Sequence, residues 1–414
     1  MSETAQAKAT HSSPQQSELP SGWRWVRLEE ITSVVNGTTP DSENPCFWNG
    51  DIVWITPTDL GKLAEPYIRN SVRKITKAGF DSRNLTRVPS RSVVLSSRAP
   101  IGHLGIAAVE LCTNQGCKSF IPNEEVDEWF LYYTLKRSVW KLQQLGSGAT
   151  FAEISKTQLE NFIIPLPPIE EQRRIAGVLR EQMATMEKAR TAAQARLEAV
   201  TALPAAFLRQ VFPQPGQSLP DGCRWAPLRK VLILRKDIVH PRDNPEGPSL
   251  FVGLEHIESN TGRRLGSVKV EMSELTGRKP RFFKDDIVYG YLRPYLNKVW
   301  IAEFNGLCSV DQYSYSVASQ IANTSYVAWF MRSPSFIENS PVGKTPGWLP
   351  RIRTEEVACV EVPLPPLVEQ QRIAAGLQDH MAAVDKARAA VEAELNTINA
   401  LPAALLRRAF NGEL

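Results

Sequence analysis

The sequence predicts an α+β chain: two mixed α/β segments built on short strands, separated by two long helices and related by a pseudo-twofold internal repeat. Three observations predict it. A proline-anchored helical segment, Pro165-Leu166-Pro167-Pro168-Ile169 followed by Glu171-Gln172-Arg173-Arg174-Ile175-Ala176, returns 198 residues later as Pro363-Leu364-Pro365-Pro366-Leu367 and Glu369-Gln370-Gln371-Arg372-Ile373-Ala374. Both copies close at the same offset in near-identical text, Ala202-Leu203-Pro204-Ala205-Ala206-Phe207-Leu208-Arg209 against Ala400-Leu401-Pro402-Ala403-Ala404-Leu405-Leu406-Arg407. The opening Leu19-Pro20-Ser21-Gly22-Trp23-Arg24-Trp25 recurs 200 residues on as Leu219-Pro220-Asp221-Gly222-Cys223-Arg224-Trp225, so the halves match from start to finish.

Taken in order, residues 1–18 carry Ser, Thr, Gln and Ala with almost nothing apolar, the composition of a disordered tail. The first globular segment then covers 19–165 and the first long helix 166–212. A Pro/Gly-rich linker, 213–218, leads to the second segment, 219–363, and the second helix, 364–414. Within the helices, Leu179, Met186, Ala193, Val200 and Phe207 stand seven apart, as do Leu377, Val384, Val391, Ile398 and Leu405. A second row four residues before each member, from Ile175 to Leu203 and from Ile373 to Leu401, completes a heptad seam that turns one stripe toward a partner helix. The coiled-coil residues are accordingly Ile175, Leu179, Met186, Val200, Ile373, Leu377, Val384, Val391 and Ile398, and the first copy's expected partner is the second. Gln182, Arg196, His380 and Glu394 interrupt the second row, and Arg196 is placed to pair with Glu394 if the helices meet. Pro204 and Pro402 are expected to kink or end each helix, leaving Phe207 and Leu405 in short separate helices.

Between the repeated motifs the pattern changes to short apolar runs bounded by turn residues. Ile52–Ile55, Ser92–Leu95 and Ile106–Val109 read as strands in the first half, and Leu250–Leu254, Asp286–Tyr289 and Val299–Ala302 in the second. Trp129–Leu145 and Tyr326–Met331 have helical spacing. The strands are expected to be largely antiparallel. Outside this shared framework the halves diverge, which suggests two related readers of two different targets.

Composition limits what the targets are. The 414 residues are 43% hydrophobic and 22% charged, ordinary for a soluble globular chain. Six cysteines show no metal-ligand or disulfide-scaffold spacing, no apolar stretch reaches membrane length, and the N-terminus lacks a secretory pattern, so a reduced cytoplasmic compartment is expected. The net charge of +4 says little, but its distribution is uneven. Lys62 to Arg98 holds nine Lys or Arg against two acids, and Arg263 to Lys298 holds nine against four. Basic stretches in equivalent parts of both halves favour a polyanion such as double-stranded DNA.

Loops in and around those stretches supply the polar groups that readout needs. Arg grips guanine bidentately and Asn grips adenine, while Ser, Thr and Lys position phosphates. The first-half candidates are Thr38, Thr39, Ser96, Ser97, Arg98, Asn114, Gln115, Lys118, Ser147 and Thr150. Those of the second half are Arg293, Tyr295, Asn297, Lys298, Asp311, Gln312, Lys344, Thr345 and Arg351. No catalytic constellation accompanies them. Gly343-Lys344-Thr345 fails as a phosphate loop because Glu338 stands where the leading glycine is required. No dinucleotide fingerprint follows a strand, the two Pro-Pro pairs follow Leu166 and Leu364 where an amino-methyltransferase has Asn or Asp, and the five histidines lack zinc spacing. A non-catalytic protein-interaction scaffold with two binding domains on a coiled coil is the alternative reading.

The duplicated Pro-Leu-Pro-Pro-x-x-Glu-Gln-x-Arg-Ile-Ala pattern, Thr113-Asn114-Gln115-Gly116, Leu292-Arg293-Pro294-Tyr295-Leu296-Asn297-Lys298 and the closing Phe410-Asn411-Gly412-Glu413-Leu414 together resemble the specificity subunit of type I restriction-modification systems. The resemblance runs from residue 19 to 414, with a small departure at Asn36-Gly37-Thr38-Thr39-Pro40, where the family often has two glycines before Thr-Pro. It implies two target-recognition domains on an antiparallel intramolecular coiled coil, reading a bipartite asymmetric DNA site across an unread gap. It further implies a subunit without catalysis or cofactor of its own. Two modification subunits would bind S-adenosylmethionine and methylate adenine, and restriction subunits would use ATP and Mg. From Glu170 to Leu203, 34 residues span about 51 Å of helix, against about 34 Å per turn of DNA, a length suited to a ruler between half-sites.

Overall fold

The repeated motifs meet at the base of each half. Arg24–Arg27 (β1) pairs antiparallel with Ile163–Leu166 (β10), placing Trp25 opposite Pro165, and Arg224–Pro227 (β11) pairs in the same way with Glu361–Leu364 (β21), placing Trp225 opposite Pro363. The computed structural model describes residues 19–98, 100–146, 153–340 and 350–414, so the expected tail at 1–18 lies outside the described residues. Each strand pair hands the chain through Pro-Pro to a long helix, Ile169–Val211 and Leu367–Ala409. The helices begin three residues after the expected starts because Leu166 and Leu364 complete strands, while proline suits the first turn of a helix.

A buried glutamine fixes each joint. The Gln172 amide donates to the carbonyls of Pro167 (2.8 Å) and Glu125 (2.9 Å) and accepts from the Asp127 N–H (2.9 Å). Asp127 in turn caps the helix Glu128–Arg137. Gln370 repeats the arrangement with Pro365, Ile321 and Asn323, and Asn323 caps Thr324–Arg332. Both glutamines are 0% exposed, which gives the Glu-Gln of the repeated motif a structural role.

The chain up to Ala192 together with Leu395–Leu414 forms one compact unit, and Ala193–Glu394 forms the other. In unit 1, Thr32–Asn36 (β2), Val93–Ser96 (β6), Leu104–Ala107 (β7), Cys117–Pro122 (β9) and Tyr67–Ile68 (β4) make a sheet in the order β2-β9-β6-β7-β4. A smaller sheet orders Lys74–Ile75 (β5), Trp48–Ile55 (β3) and Cys112–Thr113 (β8). Unit 2 has a sheet β12-β20-β17-β18, from Leu232–Leu234, Gln312–Val317, Ile287–Gly290 and Val299–Ile301. Its second sheet runs β13-β16-β19-β14-β15, from Ile238–Val239, Lys279–Phe282, Gly306–Cys308, Pro248–Val252 and Val268–Glu271. Most pairings are antiparallel, with parallel exceptions at β3 with β8, β4 with β7 and β14 with β19. The expected helix Trp129–Leu145 is two, Glu128–Arg137 and Val139–Leu145, joined at Ser138.

Each core takes in opposite ends of the two long helices. In unit 1, Phe130 and Leu131 pack with Ile175 and Leu179 from the start of the first helix and with Leu405, Leu406 and Phe410 from the end of the second. In unit 2, Phe330 and Met331 pack with Leu208 and Phe212 from the end of the first and with Ala374 and Leu377 from the start of the second. The helices are therefore antiparallel. Arg196 meets Glu394 at 2.7 Å, and Phe207 stacks on His380 at 4.9 Å.

The seam differs from the expected one in its second row. The row through Leu179, Met186, Val200, Leu377, Val384, Val391 and Ile398 is buried or half-buried, but Gln182, Ala189, Arg196, His380, Ala387 and Glu394 are exposed. Its companion row lies three residues before each member, at Ala176, Met183, Arg190, Leu197 and Pro204, and at Ala374, Met381, Arg388, Leu395 and Pro402, all buried or half-buried except Arg190. A heptad alternates steps of three and four, so one apolar row leaves two candidates for the other, and here both contain polar residues. Ile175 and Ile373 are covered by the domain cores. Pro204 and Pro402 do not end the helices, which run unbroken through both. Each proline forfeits a backbone hydrogen bond, but the turns beyond it are anchored by Leu208 and Phe212, or by Leu405, Leu406 and Phe410, in an apolar core.

Candidate nucleic-acid interface

In both units the loops at one edge of the main sheet converge, and the same backbone contacts hold them. In unit 1 the Ser97 N–H donates to the Gly116 carbonyl (2.8 Å), and the Ile154 N–H donates to the Ser97 carbonyl (2.9 Å). In unit 2 the Tyr291 N–H donates to the Asp311 carbonyl (3.1 Å), and the Ile352 N–H donates to the Tyr291 carbonyl (3.2 Å). Isolated bridges, Arg98 to Glu153 and Leu292 to Arg351, sit beside these bonds. In unit 1 the 36–39 loop joins through the Thr38 N–H, which donates to the Thr113 carbonyl (2.8 Å), and through the Thr39 hydroxyl, which donates to Gln115.

The side chains on this common frame differ. β6 sets Leu95 opposite Lys118, and β17 sets Tyr289 opposite Tyr313, so Lys118 and Tyr313 hold matching places. Unit 1 presents an ionic cluster in which the Glu153 carboxylate meets Arg98 at 2.9 Å and Lys118 at 3.4 Å. Unit 2 presents an aromatic one. Tyr291 stacks on Tyr313 with ring centroids 4.3 Å apart, the Tyr313 hydroxyl donates to the Ile352 carbonyl (3.3 Å), and exposed Arg351 lies beside them. Burial pushes the Tyr313 hydroxyl up to about 12 and raises that of Tyr291, so both phenols are neutral at physiological pH. Arg293, exposed and without a side-chain ion pair among the described residues, sits at φ +53° at the head of the Pro294–Leu296 turn. Left-handed backbone at a bulky residue is costly and persists only where the surrounding turn holds it.

The predicted contact residues divide accordingly. Thr38, Thr39, Arg98, Asn114, Gln115, Arg293, Tyr295, Asp311 and Arg351 lie in the loop clusters with at least partial exposure. Ser147, Thr150, Lys344 and Thr345 lie outside the described residues. Six others turn inward. Ser96 and Ser97 are fully buried and donate to the carbonyls of Pro100 and Gly116. Lys118 is 5% exposed. Asn297 donates to the Arg332 carbonyl, the Gln312 side chain accepts from the Ser309 N–H, and the Lys298 ammonium donates to the carbonyls of Leu254 and Ile257. These groups brace the loops, because a buried polar group must spend its hydrogen bonds internally.

The basic stretches are less cationic in space than in sequence. Arg69, Lys77, Arg87, Arg91 and Arg98 pair with Glu65, Asp81, Glu110, Glu128 and Glu153, and Arg263 and Arg264 pair with Glu258 and Glu303. Arg73, which sequence reasoning passed over, lies over the Trp48 ring at 3.5 Å. Burial raises the Cys112 thiol to about 11 and those of Cys117 and Cys308 to about 12, so none is a ready nucleophile. Among the described residues no group of three or more His, Cys, Asp or Glu is arranged to hold a metal, and no helix is long and apolar enough to cross a membrane.

Residues 20–195 match the model of the type I restriction modification DNA specificity domain. Relatives agree: the chain is 37% identical over 164 residues to the MjaIX specificity subunit of Methanocaldococcus jannaschii, and 28% identical over 318 residues to the EcoDI specificity subunit of Escherichia coli. Residues 20–195 carry a type I restriction specificity domain. The first match covers 39% of this chain and 38% of the relative, and the second covers 69% and 70%. The fold is shared with the HsdS subunit from Thermoanaerobacter tengcongensis, with a TM-score of 0.63 at 20% identity over 97% of this chain and 99% of that one. It is also shared with a chain solved in work on complex assembly and conformational transition of the type I R-M system, with a TM-score of 0.74 at 20% identity over 96% and 100%.

Proposed function

We propose that this chain is the DNA-reading subunit of a type I restriction-modification complex. One globular domain, 19–165, reads one half of a bipartite asymmetric site, the other, 219–363, reads the second half, and the paired helices set the unread gap. The observation that carries this reading is a single loop frame, built twice, that holds Arg98, Lys118 and Glu153 in one copy and Tyr291, Tyr313 and Arg351 in the other. A repeated scaffold with exchanged edge chemistry suits the recognition of two different sequences. Two modification subunits carrying S-adenosylmethionine and restriction subunits using ATP and Mg are the proposed partners, in the cytoplasm.

The test is binding of the full chain, with its modification subunit, to duplex DNA at several salt concentrations, followed by mapping of the methylated sites. The expected result is salt-dependent binding and one bipartite methylated sequence. Salt-independent behaviour, or protein partners alone, overturns the reading in favour of an interaction scaffold. Arg293→Ala is expected to weaken binding of a cognate duplex by about 1–3 kcal/mol and to relax preference in one half-site only. Equal loss on every sequence instead marks Arg293 as a phosphate contact.

A further inference from the structure

The Glu153 carboxylate spends one oxygen on each of two cations of very different exposure. Oε2 meets the guanidinium of Arg98, whose side chain is 46% exposed, and Oε1 meets the ammonium of Lys118, whose side chain is 6% exposed. A carboxylate shared between two cations at the edge of a loop cluster presents the charge and the acceptors that a backbone phosphate presents. The Arg98 pair is half-exposed, hence weak and exchangeable. If Arg98 swings away, Glu153 keeps Lys118, so no carboxylate is stranded and the buried ammonium keeps its counter-charge. In unit 2 the residue at the matching bridge is Arg351, exposed and without an ion pair among the described residues.

We infer that Glu153 is an internal stand-in for a DNA phosphate: it occupies Arg98 in the free chain and yields it to a bound duplex, which holds down the sequence-independent affinity of unit 1. Arg351 leaves unit 2 without this restraint. Unit 2 then supplies most of the general electrostatic grip and unit 1 engages only where base contacts help displace the carboxylate. The inference rests on the DNA-reading function proposed above and assigns a regulating residue to one of its sites.

The test is fluorescence anisotropy of the full chain with a labelled duplex of random sequence across a salt series. Glu153→Gln is expected to bind roughly fivefold tighter at low salt and to steepen the slope of log affinity against log salt by about 0.9, one added phosphate contact. Arg351→Gln is expected to flatten that slope by a similar amount. Unchanged or weaker binding by Glu153→Gln, with the thermal midpoint retained, overturns the inference. Should Glu153→Gln unfold because Lys118 is left as an unpaired buried charge, Glu153→Gln with Lys118→Met removes that charge, and the same steeper slope is required of it. A wild-type chain that shows no salt-dependent binding overturns the DNA-reading function itself, an outcome distinct from a wild-type chain that binds and variants that match it.

Discussion

Deleting Arg190–Arg196 together with Val391–Thr397 is expected to shorten the unread gap of the methylated site by about three base pairs and to leave both half-sequences as they are. Each deletion removes one heptad, about 10 Å of helix, and a full turn of DNA covers about 34 Å. Seven residues are close to two turns of helix, so the flanking seam residues return to the same face with a rotation of only about 20°. The deletion also removes Arg196 and Glu394 together, which leaves neither charge without its partner. Three base pairs of DNA turn through about 100°, so the shortened protein meets half-sites whose relative angle has changed, and affinity falls as the duplex is twisted to fit. Methylation-site mapping of the double deletion decides the matter: an unaltered gap rules out the helices as the ruler.

The largest stability effect is expected at the two joint glutamines. Gln172→Ala leaves the Asp127 N–H and the carbonyls of Glu125 and Pro167 without partners, the Pro167 carbonyl in a buried place at about 1–3 kcal/mol and the other two in half-buried bonds at less. A total loss of about 3–5 kcal/mol follows, a large share of a typical domain's stability of about 5–15 kcal/mol. Gln370→Ala should do the same to the other unit. Thermal unfolding of the full chain is expected to show one transition lowered by each variant. Arg173→Ala, at an exposed position with only an i,i+3 ion pair to Glu170, serves as the neutral control. A shift at Gln172 no larger than the control's refutes the joint's importance.

How much was legible beforehand depended on the range of the interaction. The duplication, the strands and the long helices are written in local period and repeated text, and each appears close to its expected place. The companion seam row was not legible, because steps of three and four are equally heptadic and Ala176 or Gln182 is chosen only by what packs opposite. The roles of Ser96 and Ser97 were misjudged because a turn-like Ser-Ser-Arg can face outward or brace a loop, and burial comes from strands far away in the chain. Charge was overread for the same reason: the acids that quench Arg87, Arg91 and Arg98 are Glu110, Glu128 and Glu153, all outside the counted stretch. The Tyr291–Tyr313 stack carries no local pattern at all. Its only advance signal was two tyrosines in loops already suspected.

The sharing of the long helices has a consequence for the order in which the protein takes shape during synthesis. Ala193–Glu394 is continuous, so unit 2 has all its parts once residue 394 has left the ribosome. Unit 1 is begun first but completed last, since its apolar core waits for Leu405, Leu406, Ala409 and Phe410. Until then Ile175 and Leu179 have no lid, and the nascent chain carries an open greasy surface through the making of more than two hundred further residues. The later half thus matures before the earlier one, and the final helical turns act as the latch that closes the first.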